Sequence, residues 1–397
     1  MEEWKQYRLI DVLDKLIDYR GKTPKKTTSG VPLITAKIIK NGRIETPTEY
    51  ISVDDYESWM VRGFPKVGDV VITTEAPLGE VAQLTNENIA LAQRVVTLRG
   101  KAGVLDNTYL KYYLMSNVGQ QRIKARETGT TVTGIKQSEL KEVLVDCPPF
   151  KHQLEIAAIL ESLDDKIEVN MRINDNLELQ AQALFNSWFV KFNPFKDQKF
   201  VKSELGIIPD GWRIGKLGEL CTFKRGKNLL SKNAIDGGVP VVAGGMEPSC
   251  YHNESNTKSP VVTVSGSGAN AGYMRMYYQE VWASDCSFID SSCKNLYFVY
   301  CFLSINRKLL KHAQTGAVQP HVKPSDIHDF DLVIPPKSII EEFQDFVKVY
   351  IEKQAILEKQ TKALSTLRDT LLPRLMSGKL KVIDLDLVEE LMVNNIR

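Results

Sequence analysis

The sequence predicts an α+β (mixed α/β) protein: two tandem β-rich globular units joined by two long helices in an antiparallel coiled coil, related by a pseudo-twofold axis. Three observations lead there. A set of residues returns at a constant interval, since Thr128-Gly129, Lys136-x-Ser138 and Pro148-Pro149 reappear as Thr315-Gly316, Lys323-x-Ser325 and Pro335-Pro336, each 187 positions on. Short β-branched runs bounded by Gly, Pro and Asn precede each copy's end. A long heptad-patterned segment then follows each Pro-Pro pair.

The first unit covers residues 1–149. Val70-Val71-Ile72-Thr73 and Arg94-Val95-Val96-Thr97-Leu98 read as strands, and residues 108–115 as a short helix. The second unit covers 209–336 and repeats the plan. Trp212 stands where Trp4 stood, Gly238-Val239-Pro240 answers Gly30-Val31-Pro32, and Val261-Val262 answers Val70-Val71. Offsets drift outside the shared block, as loop insertions would make them.

Helical spacers are predicted over 150–192 and 337–380, with a linker at 193–208 and a tail at 381–397. In the first, Ile156, Leu160, Leu163, Ile167, Asn170, Asn174, Leu177, Ala181, Leu184 and Trp188 alternate steps of four and three. In the second, Phe343, Tyr350, Leu357, Leu364 and Leu371 recur every seven residues, each 187 positions after Ile156, Leu163, Asn170, Leu177 and Leu184. A proline cannot sit inside a helix without losing a hydrogen bond, so Pro149 and Pro336 mark the starts and Pro373 the expected end. Seams this apolar predict that the two rods pack together. Asn170 and Asn174 in mid-seam suit a register device.

Bulk composition excludes several classes. With 43% hydrophobic and 25% charged residues the chain reads as ordinary globular protein. No apolar run reaches the ~18 residues that span a bilayer, and the first residues do not resemble a signal peptide. Six cysteines without a Cys-x-x-Cys pair read as reduced, mostly buried thiols, and the expected compartment is the cytoplasm.

Net charge is only +2, but it is unevenly spread. Lys15 to Arg43 holds eight basic residues against Asp18 alone; Ile44 to Glu87 holds nine acids against Arg62 and Lys66. Arg213 to Lys232 carries six basic residues against Glu219. Each unit thus opens with a basic segment, which suits phosphate contact.

No motif for covalent chemistry survives inspection. Cys147-Pro148-Pro149-Phe150 resembles an amino-methyltransferase loop, but a thiol cannot accept from the target amine as a carboxamide would, and the second copy reads Ile334-Pro335-Pro336-Lys337. Ser265 to Gly272 imitates a dinucleotide loop with one residue too many, and its first-copy counterpart holds Glu75 and Pro77. No phosphate-cradling Gly-x4-Gly-Lys-(Ser/Thr) loop, metal-ligand cluster or paired carboxylate is visible. The remaining candidates are polar loops. Lys22, Thr23, Lys25, Lys26, Lys227 and Asn228 lie in the basic loops; Thr130, Thr131, Lys136, Gln319, His321 and Lys323 lie before the spacers. Lysines suit phosphates, whereas Gln319, His321, Asn228 and the threonine hydroxyls suit base edges.

A set of longer motifs resembles the specificity subunit of type I restriction-modification enzymes, over essentially the whole chain. It comprises Pro148-Pro149-x-x-x-Gln153 leading into Ile156-Ala157-x-Ile159-Leu160-x-x-Leu163-Asp164-x-Lys166-Ile167, then Gln182-Ala183-Leu184-Phe185-x-Ser187-Trp188-Phe189-Val190, Thr315-Gly316-Ala317-Val318-Gln319-Pro320-His321-Val322, and Leu371-Leu372-Pro373-Arg374-Leu375-Met376-Ser377-Gly378. The resemblance implies two target-recognition domains, each reading half of a split DNA target, on two helical spacers. It implies two methyltransferase (modification) subunits using S-adenosylmethionine and two restriction/translocase subunits using ATP and Mg2+, so that those cofactors belong to partners and this chain is non-catalytic. One departure stands out: the second junction reads Glu341-Glu342-Phe343-Gln344 where the first reads Gln153-Leu154-Glu155-Ile156. From the residues alone, a coiled-coil protein-interaction scaffold without nucleic-acid recognition remains the alternative.

Overall fold

The computed structural model describes residues 4–19, 21, 23–129, 133–314 and 320–380. They form two compact units, Met1–Val169 with Gln360–Arg397, and Asn170–Lys359.

In the first unit, Lys5–Arg8 pairs antiparallel with Leu144–Cys147, so the domain begins and ends on one ribbon that delivers the chain into the first long helix. A four-stranded antiparallel sheet runs in the order Leu13–Asp18, Val95–Gly100, Val70–Thr74, Leu78–Gln83. Val70–Thr74 is buried on both faces, which accounts for the unbroken run Val70-Val71-Ile72 in place of alternation. One face packs on the helix Asn107–Met115, whose start is capped by the Asp106 carboxylate accepting from Tyr109 N–H at 2.8 Å. The other carries a smaller sheet in which Ala90–Leu91 runs parallel to Val31–Ile34.

The second unit repeats this plan. Arg213–Lys216 pairs with Asp331–Ile334, and the sheet order is Lys224–Arg225, Cys286–Asp290, Val261–Ser265, Met274–Tyr277. Its parallel pair is Val239–Val242 with Trp282–Ala283, and its helix is Leu296–Ile305. Residues 193–208, read from sequence as linker, instead hold a hairpin of Phe200–Ser203 with Gly206–Pro209. Aromatic packing explains the order: Phe195 meets Trp212 at 4.9 Å and Phe192 meets Phe200 at 6.0 Å between ring centroids.

The long helices span Phe150–Phe189 and Lys337–Met376. Pro373 lies inside the second rather than ending it. In the last turn the missing N–H costs one hydrogen bond, and the helix closes beyond it with Gly378 N–H on Leu375 O.

In each unit the helical segments share the domain's core. Ile156, Leu160, Leu163 and Ile167 are buried with Leu364, Leu371 and Leu375 in the first unit. Fully burying one such side chain is worth about 1.5–3 kcal/mol. In the second, Ala181, Phe185 and Phe189 are buried with Phe343, Val347 and Ile351. Leu177, Leu184, Trp188 and Tyr350, read as seam, are only half-buried. A straight helix drifts ~20° per heptad, and Phe185 turns toward Phe298 and Phe302 of the domain. Within the second unit Asn174 O accepts from Gln354 Nε2 at 3.1 Å while Trp188 meets Phe343, so these two segments run in opposite senses. Asn170 is fully buried, and its amide has no hydrogen-bond partner among the described residues.

The irregular second junction has a simple geometry. Gln153 donates to Val104 O and Pro148 O and accepts from Asp106 N–H. Gln344, one helical turn later in its copy, donates to Lys294 O and accepts from Tyr297 N–H at 3.2 Å. Each glutamine ties a spacer helix to its domain.

Candidate nucleic-acid interface

In each unit the outgoing end of a central strand meets the loop that precedes the spacer. Ile135 N–H donates to Thr74 O at 2.9 Å, and Val322 N–H, 187 positions on, donates to Gly266 O at 3.1 Å. Bridges Glu75–Gly134 and Ser267–His321 continue both contacts. The repeat is thus a repeat of loop packing as well as of sequence.

In the first unit the Thr23 hydroxyl donates to Gln93 Oε1 at 3.2 Å, and beside Gln93, Arg94 Nε pairs with Glu75 Oε1 at 2.7 Å. Lys136 is exposed at the start of the helix Gln137–Lys141. Thr23, Arg94, Glu75 and the 133–136 backbone therefore form one cluster. Lys26 lies on the smaller sheet opposite Ile51, with its ammonium 2.8 Å from Glu49, and Lys25 beside it is exposed. Lys22, Thr130 and Thr131 lie outside the described residues.

In the second unit the basic loop crosses the ends of the central strands. Gly226 N–H donates to Cys286 O and Lys227 N–H to Ala283 O. Lys227 Nζ lies 5.9 Å from the Trp282 ring centre, a cation–π approach, and Asn228 Oδ1 is 3.5 Å from the Ser284 hydroxyl. Arg225 pairs with Asp285, whose other oxygen accepts from the Ser267 hydroxyl. Arg225, Gly266, His321, Lys323, Pro324 and Ser325 line one concavity. Lys227, Asn228, His321 and Lys323 are thus drawn to one end of the sheet; Gln319 lies outside the described residues.

Asp285, Ser267, Arg94 and Glu75 are not marked as site residues by the sequence, and Arg225 only as a member of the basic loop Lys224-Arg225-Gly226-Lys227-Asn228. Arg225 and Asp285 are 60 positions apart, and nothing local in either segment signals the other.

The cluster offers donors, positive charge and shape. Burial pushes the Cys147 thiol up to about 12, which removes a thiolate from the Pro-Pro junction at neutral pH. Among the described residues no group of three or more His, Cys, Asp or Glu could hold a metal ion, and no helix is long and apolar enough to cross a membrane.

Two similar α+β units, each with a polar loop cluster at the sheet end and each tied to long helices, define a tandem recognition-domain protein. The chain belongs to the type I restriction modification DNA specificity domain family, whose model matches residues 1–179 and 209–365. It is 31% identical over 382 residues to the type I restriction enzyme MjaIX specificity subunit of Methanocaldococcus jannaschii, covering 89% of this chain and 88% of the relative. A putative MjaX specificity subunit from the same organism is 23% identical, covering 96% and 94%. Among solved structures, the S subunit of a type I restriction-modification system from M. genitalium matches with a TM-score of 0.61 at 18% identity, covering 94% of this chain and 96% of that one. That likeness speaks to the fold.

Proposed function

We propose that this chain is the non-catalytic DNA-reading subunit of a type I restriction-modification complex, acting in the cytoplasm. Each unit reads one half of a bipartite target through its loop cluster. The helices pair as an antiparallel coiled coil that fixes the interval between half-sites and carries two modification subunits and two restriction/translocase subunits. S-adenosylmethionine, ATP and Mg2+ are bound by those partners.

The observation that carries the reading is the pairing of family membership with two equivalent loop clusters: Ile135–Thr74 and Val322–Gly266 set the same polar loops at the same end of each sheet. Lys25, Lys136, Lys227 and Lys323, all exposed, suit the phosphate backbone. Thr23, Asn228 and His321 lie among groups that can reach base edges.

Gel shifts of the full chain on random and selected duplexes, across a salt series, test this directly. The expected result is tight binding to one split sequence, weak binding elsewhere and a steep salt dependence. Co-purification with a methyltransferase-sized chain and methylation mapping in cells carrying this chain test the assembly. Binding indifferent to duplex sequence and salt would leave only the interaction-scaffold alternative.

A further inference from the structure

We infer that Arg225 is a guanine-reading side chain of the second unit, held in its reading pose by Asp285, with Gly266 making room for it. The inference rests on the DNA-reading proposal and names one base contact within it.

Arg225 sits on an edge strand opposite Ser287. Its Nη2 donates to Asp285 Oδ1, and Asp285 Oδ2 accepts from Ser267. Both carboxylate oxygens are therefore used, and Asp285 is fastened to a second loop as well. The guanidinium crosses Gly266 so closely that a Cβ there would collide with Nη1. Beyond it opens the concavity shared with His321 and Lys323.

A guanidinium is planar, with five N–H donors. One Nη2 hydrogen given to a carboxylate still leaves one edge with two parallel donors. Two acceptor types match such an edge, the O6/N7 pair of guanine in the major groove and a phosphate. The local charge decides between them. A phosphate anchor works through net positive charge, which Asp285 cancels, whereas donor geometry survives neutralisation and gains from being held. Lys323 on the same rim is exposed and supplies the charge.

The first unit argues against a mere structural staple. Its ion pair joins Arg94, the residue before the strand Val95–Gly100, to Glu75, which follows Val70–Thr74. In the second unit the residue before the equivalent strand Cys286–Asp290 is the acid, Asp285. A pair that only braced the fold would keep its acid and base in the same places.

The test uses the full chain. A selected duplex is first obtained from a random library, and each G·C pair of its two half-sites is then exchanged in turn. Arg225→Lys should keep its affinity for unrelated DNA within about twofold, keep its salt slope, and lose about tenfold or more discrimination at one base pair. Asp285→Asn should lose part of that discrimination and Asp285→Glu should recover it, as befits a positioning residue. Retained preference at the other half-site reports that the variants are folded. A uniform loss at all sequences, with the salt slope reduced by about one, would make Arg225 a phosphate contact and overturn the inference. Unchanged preferences in Arg225→Lys would make the pair structural and also overturn it. A wild-type chain that enriches no sequence would remove the DNA reading itself, a separate result.

Discussion

Asp164 is the residue whose removal should tell most about how the first unit holds its helices. Its carboxylate accepts from Tyr112 Oη at 2.7 Å, Lys111 Nζ at 3.3 Å and Arg368 Nη1 at 2.8 Å. The side chains of Lys111, Asp164 and Arg368 are 11%, 13% and 17% exposed, so little water screens the group. Burial pushes the Asp164 carboxyl up, but Arg368, Lys111 and the Tyr112 hydroxyl outweigh it and leave the group below the usual carboxylate range. A depressed folded-state pKa stabilises the fold above the unfolded value near 4 and ceases to do so as pH falls through the folded value.

Asp164→Asn leaves Lys111 and Arg368 facing each other with only the exposed Asp369, already paired to Arg368, as a counter-charge. Breaking a buried pair costs about 3–5 kcal/mol, and the residual exposure here points to roughly 3. For a unit of this size that lowers the thermal midpoint by about 6–12 °C. The natural contrast is in the second unit, where the positions 187 away from Asp164 and Arg368 are the buried Ile351 and Ala181. A triple Asp164→Ile, Arg368→Ala, Lys111→Met variant should therefore recover most of the loss, because apolar replacement of a whole ion group is close to neutral. Scanning calorimetry at pH 7 and pH 3.5 measures both effects, and the Asn variant's deficit should shrink at the lower pH. A variant melting within about 1 °C of wild type at pH 7 would show that the network contributes nothing and refute the reasoning.

Other outcomes are as definite. Asn170→Leu should raise the unfolding free energy measured in urea by about 1 kcal/mol or more, since it removes a buried amide with no partner among the described residues, while making the register of the helices less unique. Lys25→Ala should weaken DNA binding at every sequence and lower the salt slope by about one; Lys26→Ala should do less, because Glu49 already meets its charge. Gly226→Ala should loosen the basic loop, since a Cβ there meets Ala283 O at 2.6 Å, and hydrogen exchange at Lys227 should quicken. In a thiol-reagent titration at pH 8, half-exposed Cys250 should react well before buried Cys147 and Cys286, both pushed up to about 12 by burial.

The repeat and the helices were legible because each is written locally. Pro149 and Pro336 announce starts that the structure places at Phe150 and Lys337, and Val70–Thr74 reads as a strand from four residues. The hairpin at 200–209 was missed because its order comes from rings at Phe195 and Trp212 rather than from its own pattern. The candidate site is legible in the sequence as loops and not as partners. Lys227 and His321 announce themselves by composition. Arg225 and Asp285 look like two solvated charges until the fold closes a 60-residue gap between them. The Asp164 group was invisible for the same reason, its members coming from three separate segments.

The make-up of the first unit also bears on how a ribosome must finish this molecule. Residues 170–359 are contiguous and hold a complete core, so they can collapse as soon as they emerge. The domain translated first has to wait, because Leu364, Leu371, Leu375 and Met376 fill its interior and are made some two hundred residues later. Until then the oily stripe of Ile156, Leu160, Leu163 and Ile167 lacks its natural cover, and chaperone dependence during synthesis should concentrate there.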